Sequence, residues 1–419
     1  MLGFVQNWLA PRGNPIGIDF GSDCLRLAQV QWTGTEHRLI AAASADVPSH
    51  LPRTLPARLA FFVEATRDLL SQGGFKGRQA VLGLPVASMT IQHLRMAKMD
   101  EAELKKALPW EARGKLPFDP AHALIRHMIA GEVYQDQDPK YEVILMAAAR
   151  EFVDQLLDSA VKAKLDVVGM NVEPRSIVDC FSHVHRRSTE TEVTNLFVDI
   201  GSSGSRAIIA RGQSIQFARS IPIGGEQFNR ATATELRQGV QDAKMLRLKM
   251  GHAAPALDEC REKHVISPGP QTEEAFALLN AGLHRAACGD DCEPTETAAK
   301  PPDADLSRRI EQACREPLNK LVEELELCRR YYETTFPSKP VERLIFVGGE
   351  ARHRSLCQHI AREMGLAAEV GDPLVRMGRI SDIGIESGID RREPQPSWTV
   401  AVGLSLGSVL AEVAVEARS

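Results

Sequence analysis

Short apolar runs separated by polar turns fill most of this chain, and they fall into two similar series. Near the start, Ile16-Gly17-Ile18 leads into Asp19-Phe20-Gly21-Ser22-Asp23, and an alternating run follows at Leu25, Leu27, Ala28 and Val30. Half a chain later, Leu196-Phe197-Val198 leads into Asp199-Ile200-Gly201-Ser202-Ser203-Gly204, followed by Ala207, Ile208 and Ile209. Each reads as strand, tight turn, strand. With Asp19 laid on Asp199, the pairs Gly21/Gly201, Ser22/Ser202 and Arg26/Arg206 also coincide. One such turn is an ordinary hairpin. Two in register imply an internal repeat, and so two related subdomains with a cleft between them.

The remaining pattern fills in around these hairpins. A third strand is expected over 38–43, then a helix with Leu59, Phe62, Val63, Thr66 and Leu70 on one face, ended by Gly73-Gly74. A strand over 79–85 precedes a block that reads strand, helix, strand, strand, helix between 88 and 163. That block looks like an insertion within the first half. Strand 167–173 and helix 177–185 then lead through a polar linker, 186–192, to the second hairpin. Strand 214–222 runs into Ile223-Gly224-Gly225, and a polar helix is expected over 226–250. Residues 251–305 are irregular and rich in proline. A long helix over 306–335 carries the apolar stripe Ile310, Cys314, Leu318, Leu321, Leu325, Cys328 and Tyr332. Strand 343–347 runs into Gly348-Gly349, followed by helix 355–364, strand 367–370 and a closing helix over 397–412.

At 419 residues the chain exceeds what one hydrophobic core serves, so at least two domains are expected. A formal charge of −5 speaks against nucleic acid, which needs a basic face. Eight cysteines without a C-x-x-C pair, and no secretory leader, fit reduced thiols in a cytosol. No run reaches membrane-spanning length; the nearest, 400–415, is interrupted by Gly403, Ser405, Gly407, Ser408 and Glu412. The apolar segment Met1–Ala10 reads as a flap on the protein, a frayed terminus or an interfacial helix.

The chemistry of the hairpins suits a phosphate. Gly and Ser let successive backbone N–H groups point into one anion-holding concavity. A carboxylate at the strand end would repel bare phosphate, so Mg²⁺ or its water shell is expected between them, with Asp19 and Asp199 as the metal-facing carboxylates.

Two Asp-x-Gly hairpins, a strand into Gly224-Gly225 and a late strand into Gly348-Gly349-Glu350 together resemble the actin-like ATPase superfamily, with its ribonuclease H-like two-domain α/β fold and nucleotide cleft. Two further stretches, Glu111-Ala112-x-x-x-Leu116-Pro117-Phe118 and Phe217-Ala218-Arg219-Ser220-Ile221-Pro222-Ile223-Gly224-Gly225, resemble the PilM family of type IV pilus assembly, whose relatives are FtsA and the cytoplasmic part of GspL. The resemblance implies ATP and Mg²⁺ in the cleft, bound by Asp19, Gly21, Ser22, Asp23, Asp199, Gly201, Ser202, Ser203, Gly204, Gly224, Gly225, Lys244, Gly348, Gly349 and Glu350. It assigns 14–83 with 161–193 to subdomain 1A, 84–160 to an inserted α+β subdomain (1C), 194–226 with 341–417 to 2A and 227–340 to 2B. It also implies a groove between 1A and 1C that holds the tail of a PilN-like inner-membrane protein, and through it PilO. Membrane contact is then indirect, from the cytoplasmic side, with self-association a further possibility. ATP turnover is expected to be slow or absent. The chain departs from the family at Ala243-Lys244-x-x-Arg247, where a carboxylate commonly lies near the ribose; here the position is a cation.

Other readings come from different classes. A sugar-kinase-like phosphotransferase needs a further aspartate base in a Gly-rich loop, which the sequence does not plainly supply. An FtsA-like filament tether ends in a basic amphipathic helix, for which 413–419 is too short. His284, Cys288 and Cys292 have helical spacing, but Gly289 and Asp290-Asp291 argue for a turn and against metal binding. His183, His185, Arg186 and Arg187 read as a polar helix end in preference to an anion-binding group. Arg219 reads equally as an ion pair in the cleft or a phosphate contact, and Arg26 and Arg206 read first as partners of residues across their own sheets.

Overall fold

A computed structural model describes residues 14–85, 88–135, 138–182, 192–252, 304–378, 385–386 and 389–407. The expectations for Met1–Ala10, for His183–Arg187, for His284–Cys292, for most of 251–305 and for the chain after Gly407 lie outside the described residues.

The repeat read from the sequence is a repeat of topology. In the first sheet β1 (Ile16–Phe20), β2 (Cys24–Trp32), β3 (His37–Asp46), β4 (Gln79–Leu84) and β8 (Asp166–Val172) lie in the order β3-β2-β1-β4-β8. In the second, β9 (Thr194–Ile200), β10 (Ser205–Arg211), β11 (Ser214–Ile221), β12 (Arg343–Val347) and β13 (Ala367–Val370) lie in the order β11-β10-β9-β12-β13. Both sheets join an antiparallel meander to parallel strands. β1 and β9 are central and wholly buried, which is why their apolar residues run on without alternation.

Helix α1 (Leu55–Gln72) buries Leu59, Phe62, Ala65, Thr66 and Leu70 against the first sheet. The insertion comprises β5 (Met89–Ala97), α2 (Glu101–Glu111), β6 (Ala123–Gln135) and β7 (Asp138–Ala149), with sheet order β5-β7-β6. Asp100 caps α2 by accepting the Glu103 N–H at 2.8 Å, and Leu104 and Leu108 pack on Leu94, Met96, Val143 and Leu145. Helix α3 (Arg150–Lys162), grouped with the insertion from sequence, instead buries Val153, Leu156 and Ala160 in the same core as Ile18 and Phe62. Helix α4 (Glu173–Phe181) follows β8.

The polar stretch after β11 forms two helices, α5 (Gly225–Leu236) and α6 (Val240–His252), where one was expected. Arg237 takes a left-handed φ of 52° and ends α5. Long helix α7 (Ala304–Thr335) buries Leu321, Leu325, Cys328 and Tyr332, and α8 (Arg354–Met364) precedes β13. The last described helix, α9 (Thr399–Leu406), differs from its expected place in the second half. It packs on α4 and on the first sheet, where Ser405 Oγ donates to Pro15 O at 2.8 Å and accepts the Val30 N–H at 3.0 Å.

Candidate functional site

Both hairpins present the same charge pair. Asp19 lies opposite Arg26 in the β1–β2 ladder, and Asp199 lies opposite Arg206 in β9–β10. Arg26 comes within 3.9 Å of Asp19, while Arg206 donates to Asp199 at 3.1 Å and also pairs with Glu173 of α4 at 2.7 Å. The cross-sheet reading of both arginines therefore holds. Glu173 carries no local sequence signal; only the packing of α4 brings it to the site.

Asp19 is buried, and burial pushes its carboxyl from an ordinary 3.8 up to about 6. Arg26 and Arg206 pull against that rise, and the like charge of Asp199 adds to it. The two aspartates thus share one field although 180 residues separate them in sequence (199 − 19). Two buried carboxylates that feel one another's charge are a donor set suited to a hard cation that keeps most of its waters. Among the described residues no group of three or more His, Cys, Asp or Glu is placed to hold a metal ion.

The glycine motifs close on this point. The Gly225 and Glu226 N–H groups donate to Gly201 O and Ser202 O at 2.9 and 2.8 Å, so the Gly224-Gly225 loop is stitched to the second hairpin. A side chain at Gly224 would strike Ser202 O and Gly204 N. Gly348 has φ +89°, and a Cβ there would strike the Asp199 carboxylate. We expect Gly348→Ala to cost about 1–3 kcal/mol in chemical denaturation, because both the conformation and the space exclude a side chain.

The first hairpin is held from its own half. Arg58 donates to Gly21 O and Ser22 O at 2.8 and 3.0 Å and lies over the Phe20 ring. Asp23 receives Lys244 Nζ from α6 at 2.7 Å. Burial opposes the charge of Asp23, but hydrogen bonds from Lys244 and from Ser202 outweigh it and hold the carboxyl below its ordinary range. A second ion pair, Arg53 to Glu226 at 2.9 Å, also joins the two halves. Ser203 is exposed on the second hairpin, and a Cβ on Gly349 would meet open space.

Glu350 sits otherwise than a free nucleotide contact. Both its oxygens are held by Arg247 at 2.7 and 2.9 Å, and Arg247 also donates to Asn229 at 2.9 Å. Burial disfavours the Glu350 carboxylate, but Arg247 more than offsets it. The spacing Lys244-x-x-Arg247 puts both cations on one side of α6, one toward Asp23 and one toward Glu350. Arg219, for which two readings were open, pairs with Glu324 of α7 at 3.0 Å.

A second concavity lies between the first sheet and the insertion. Its volume is about 290 Å³, and Leu84, Met89, Leu124, Met128, Met146 and Met170 line it, with Arg126 and Arg175 among the polar groups.

Comparison with known proteins agrees with this architecture. The solved PilM-PilN type IV pilus biogenesis complex superposes with a TM-score of 0.70 at 20% identity, covering 94% of this chain and 98% of that one. The ethanolamine utilization protein EutJ from Carboxydothermus hydrogenoformans gives 0.49 at 12% identity, over 96% and 91% of the two chains. MreB5 of Spiroplasma citri bound to ADP gives 0.44 at 11%, over 94% and 95%. No curated protein matches by sequence. The model of the cell division protein FtsA matches residues 196–403. That of the type IV pilus assembly protein PilM matches residues 17–258, more than half the chain. With the doubled sheet, the inserted subdomain and that match, this chain belongs to the PilM family of actin-like type IV pilus assembly proteins.

Proposed function

We propose that the chain is an ATP-binding scaffold that holds the tail of a PilN-like inner-membrane protein. One observation carries the nucleotide half of this reading. Two hairpins half a chain apart, together with Gly224-Gly225 and Gly348, surround the Asp19–Asp199 pair. Asp19 and Asp199 would hold a Mg²⁺ ion, which supplies charge neutralisation for the β- and γ-phosphates when bound. The hairpin amides of 21–23 and 202–204 would orient the phosphates, the Gly201 N–H being held by Gly204 O within its own turn. Lys244, paired with Asp23 at 2.7 Å, would be a cation for a phosphate oxygen.

The partner half rests on the groove beside the insertion. A methionine-rich wall adapts to an apolar peptide, and Arg175, paired with Asp179 at 2.7 Å, and Arg126 put positive charge at its edge. A PilN-like tail there would bring the chain, and PilO with it, to the inner face of the inner membrane. Among the described residues no helix is long and apolar enough to cross a membrane.

Calorimetric titration with Mg-ATP tests the reading, on wild type and Asp199→Ala, with and without the tail peptide. Wild type should bind ATP, and Asp199→Ala should weaken it at least tenfold while leaving peptide affinity unchanged. Equal ATP binding by the two proteins would remove the metal role of Asp199. Absence of peptide binding would remove the scaffold reading.

A further inference from the structure

Where the insertion packs on the second half of the molecule, one histidine is left unused by the nucleotide and peptide readings. His93 of β5 stacks on Phe217 of β11, with ring centres 4.7 Å apart, and meets the edge of Tyr331 of α7 at 5.5 Å. Its Nδ1 lies 3.2 Å from Glu142 Oε1, and its Nε2 lies 3.2 Å from Ala218 O. Both neighbours accept hydrogen bonds. Glu142 is fully buried on β7 and already receives Tyr331 Oη at 2.7 Å and Arg95 Nε at 3.3 Å. Burial disfavours its charge, but His93, Tyr331 and Arg95 together hold it as a carboxylate below its ordinary range. A carbonyl and a carboxylate can both be satisfied only if each ring nitrogen carries a hydrogen, that is, by imidazolium.

We propose that His93 is a proton-dependent latch between the insertion and the second half of the molecule. When the ring loses its proton, the hydrogen stays on Nδ1 beside the carboxylate. The Nε2 lone pair then faces the Ala218 oxygen, and the one bond of His93 that crosses to β11 is lost. The charged groups around the ring are Glu142 on β7, Arg95 on β5 and the Tyr331 phenol on α7; on β11, Arg219 is paired to Glu324. Release would be felt at both ends. Along β5, Met89 lines the groove four residues before His93, and along the chain from β11 Gly224 follows Ala218 by six.

Hydrogen exchange read by mass spectrometry, on the full chain between pH 5.5 and 8.5, tests the latch. Wild type and His93→Gln are compared at each pH, so that the intrinsic pH dependence of exchange cancels. Protection of segments 89–97 and 214–221 should fall about tenfold in wild type relative to His93→Gln as the pH is raised over that span. A ratio between the two proteins that stays constant with pH would overturn the proposal. Nitrogen-15 spectra of wild type alone give an independent reading should the variant fold poorly. Two protonated ring nitrogens at pH 5.5 and one at pH 8.5 support the latch, and a neutral ring at both overturns it.

Discussion

Asp19→Asn is expected to make the folded protein more stable at pH 8 while abolishing Mg-dependent ATP binding. The wild-type carboxyl titrates near 6 in the folded state against an ordinary 3.8. Because the folded value is raised, the folded state keeps a proton that the unfolded chain gives up between about pH 4 and 6. Stability from this group therefore falls as pH rises through that window, and above it the loss is constant. Two pKa units correspond to about 3 kcal/mol, so Asn should recover about 2–3 kcal/mol at pH 8 and almost nothing at pH 4. Arg206 would keep Asp199 and Glu173 as partners, and Arg26, which loses its 3.9 Å pair with Asp19, has a partly exposed side chain that water can solvate. Urea unfolding at both pH values, beside ATP titration, checks the pair of effects. A variant destabilised equally at both would show that Asp19 is an ordinary structural carboxylate. Charge held against its own stability is what a site awaiting a cation is expected to show.

The second large effect is expected where the nucleotide role was assigned from sequence alone. Glu350→Ala should cost about 3–5 kcal/mol, because it leaves Arg247 buried without its counter-charge. Arg247→Met combined with Glu350→Leu should recover most of that loss, since the pair is replaced by apolar groups of similar volume. The wild-type Glu350 carboxyl lies below its ordinary 4.5, so its stabilisation is present at neutral pH and drains away on acidification below that value. A double-mutant cycle in urea measures the coupling. If Glu350→Ala leaves the midpoint unchanged, the pair contributes nothing to the fold and the residue's role lies with the ligand.

These expectations show unequal legibility. The two hairpins could be read directly because each packs its chemistry into a few consecutive residues, Asp19 to Asp23 and Asp199 to Gly204. The cross-strand pairs Asp19–Arg26 and Asp199–Arg206 followed from the same local geometry, since a tight turn sets the register. Glu173, Arg58 and the Arg247–Glu350 pair had no such signal, their partners lying 33 (206 − 173), 37 and 103 residues away. The break between α5 and α6 was missed because no proline marks it, and Arg237 adopts the left-handed conformation usually left to glycine.

What the amino-acid order determined by itself was the repeat: alternating apolar runs and Gly-Ser turns dictate strand–turn–strand wherever they occur, and they occur twice in register. What only the tertiary structure decided was the assembly of those pieces. Helix α9 is apolar on all sides, so its pattern named no partner; burial of every residue from Thr399 to Ser405 against the first sheet did. Likewise the insertion could be bounded from its strands, yet its contact with β11 and α7 brings His93 and Glu142 to Tyr331, which lies 189 residues beyond Glu142. Local patterns set elements because backbone geometry is local; long-range pairing follows from which apolar faces bury one another and which buried charges then find a counter-charge.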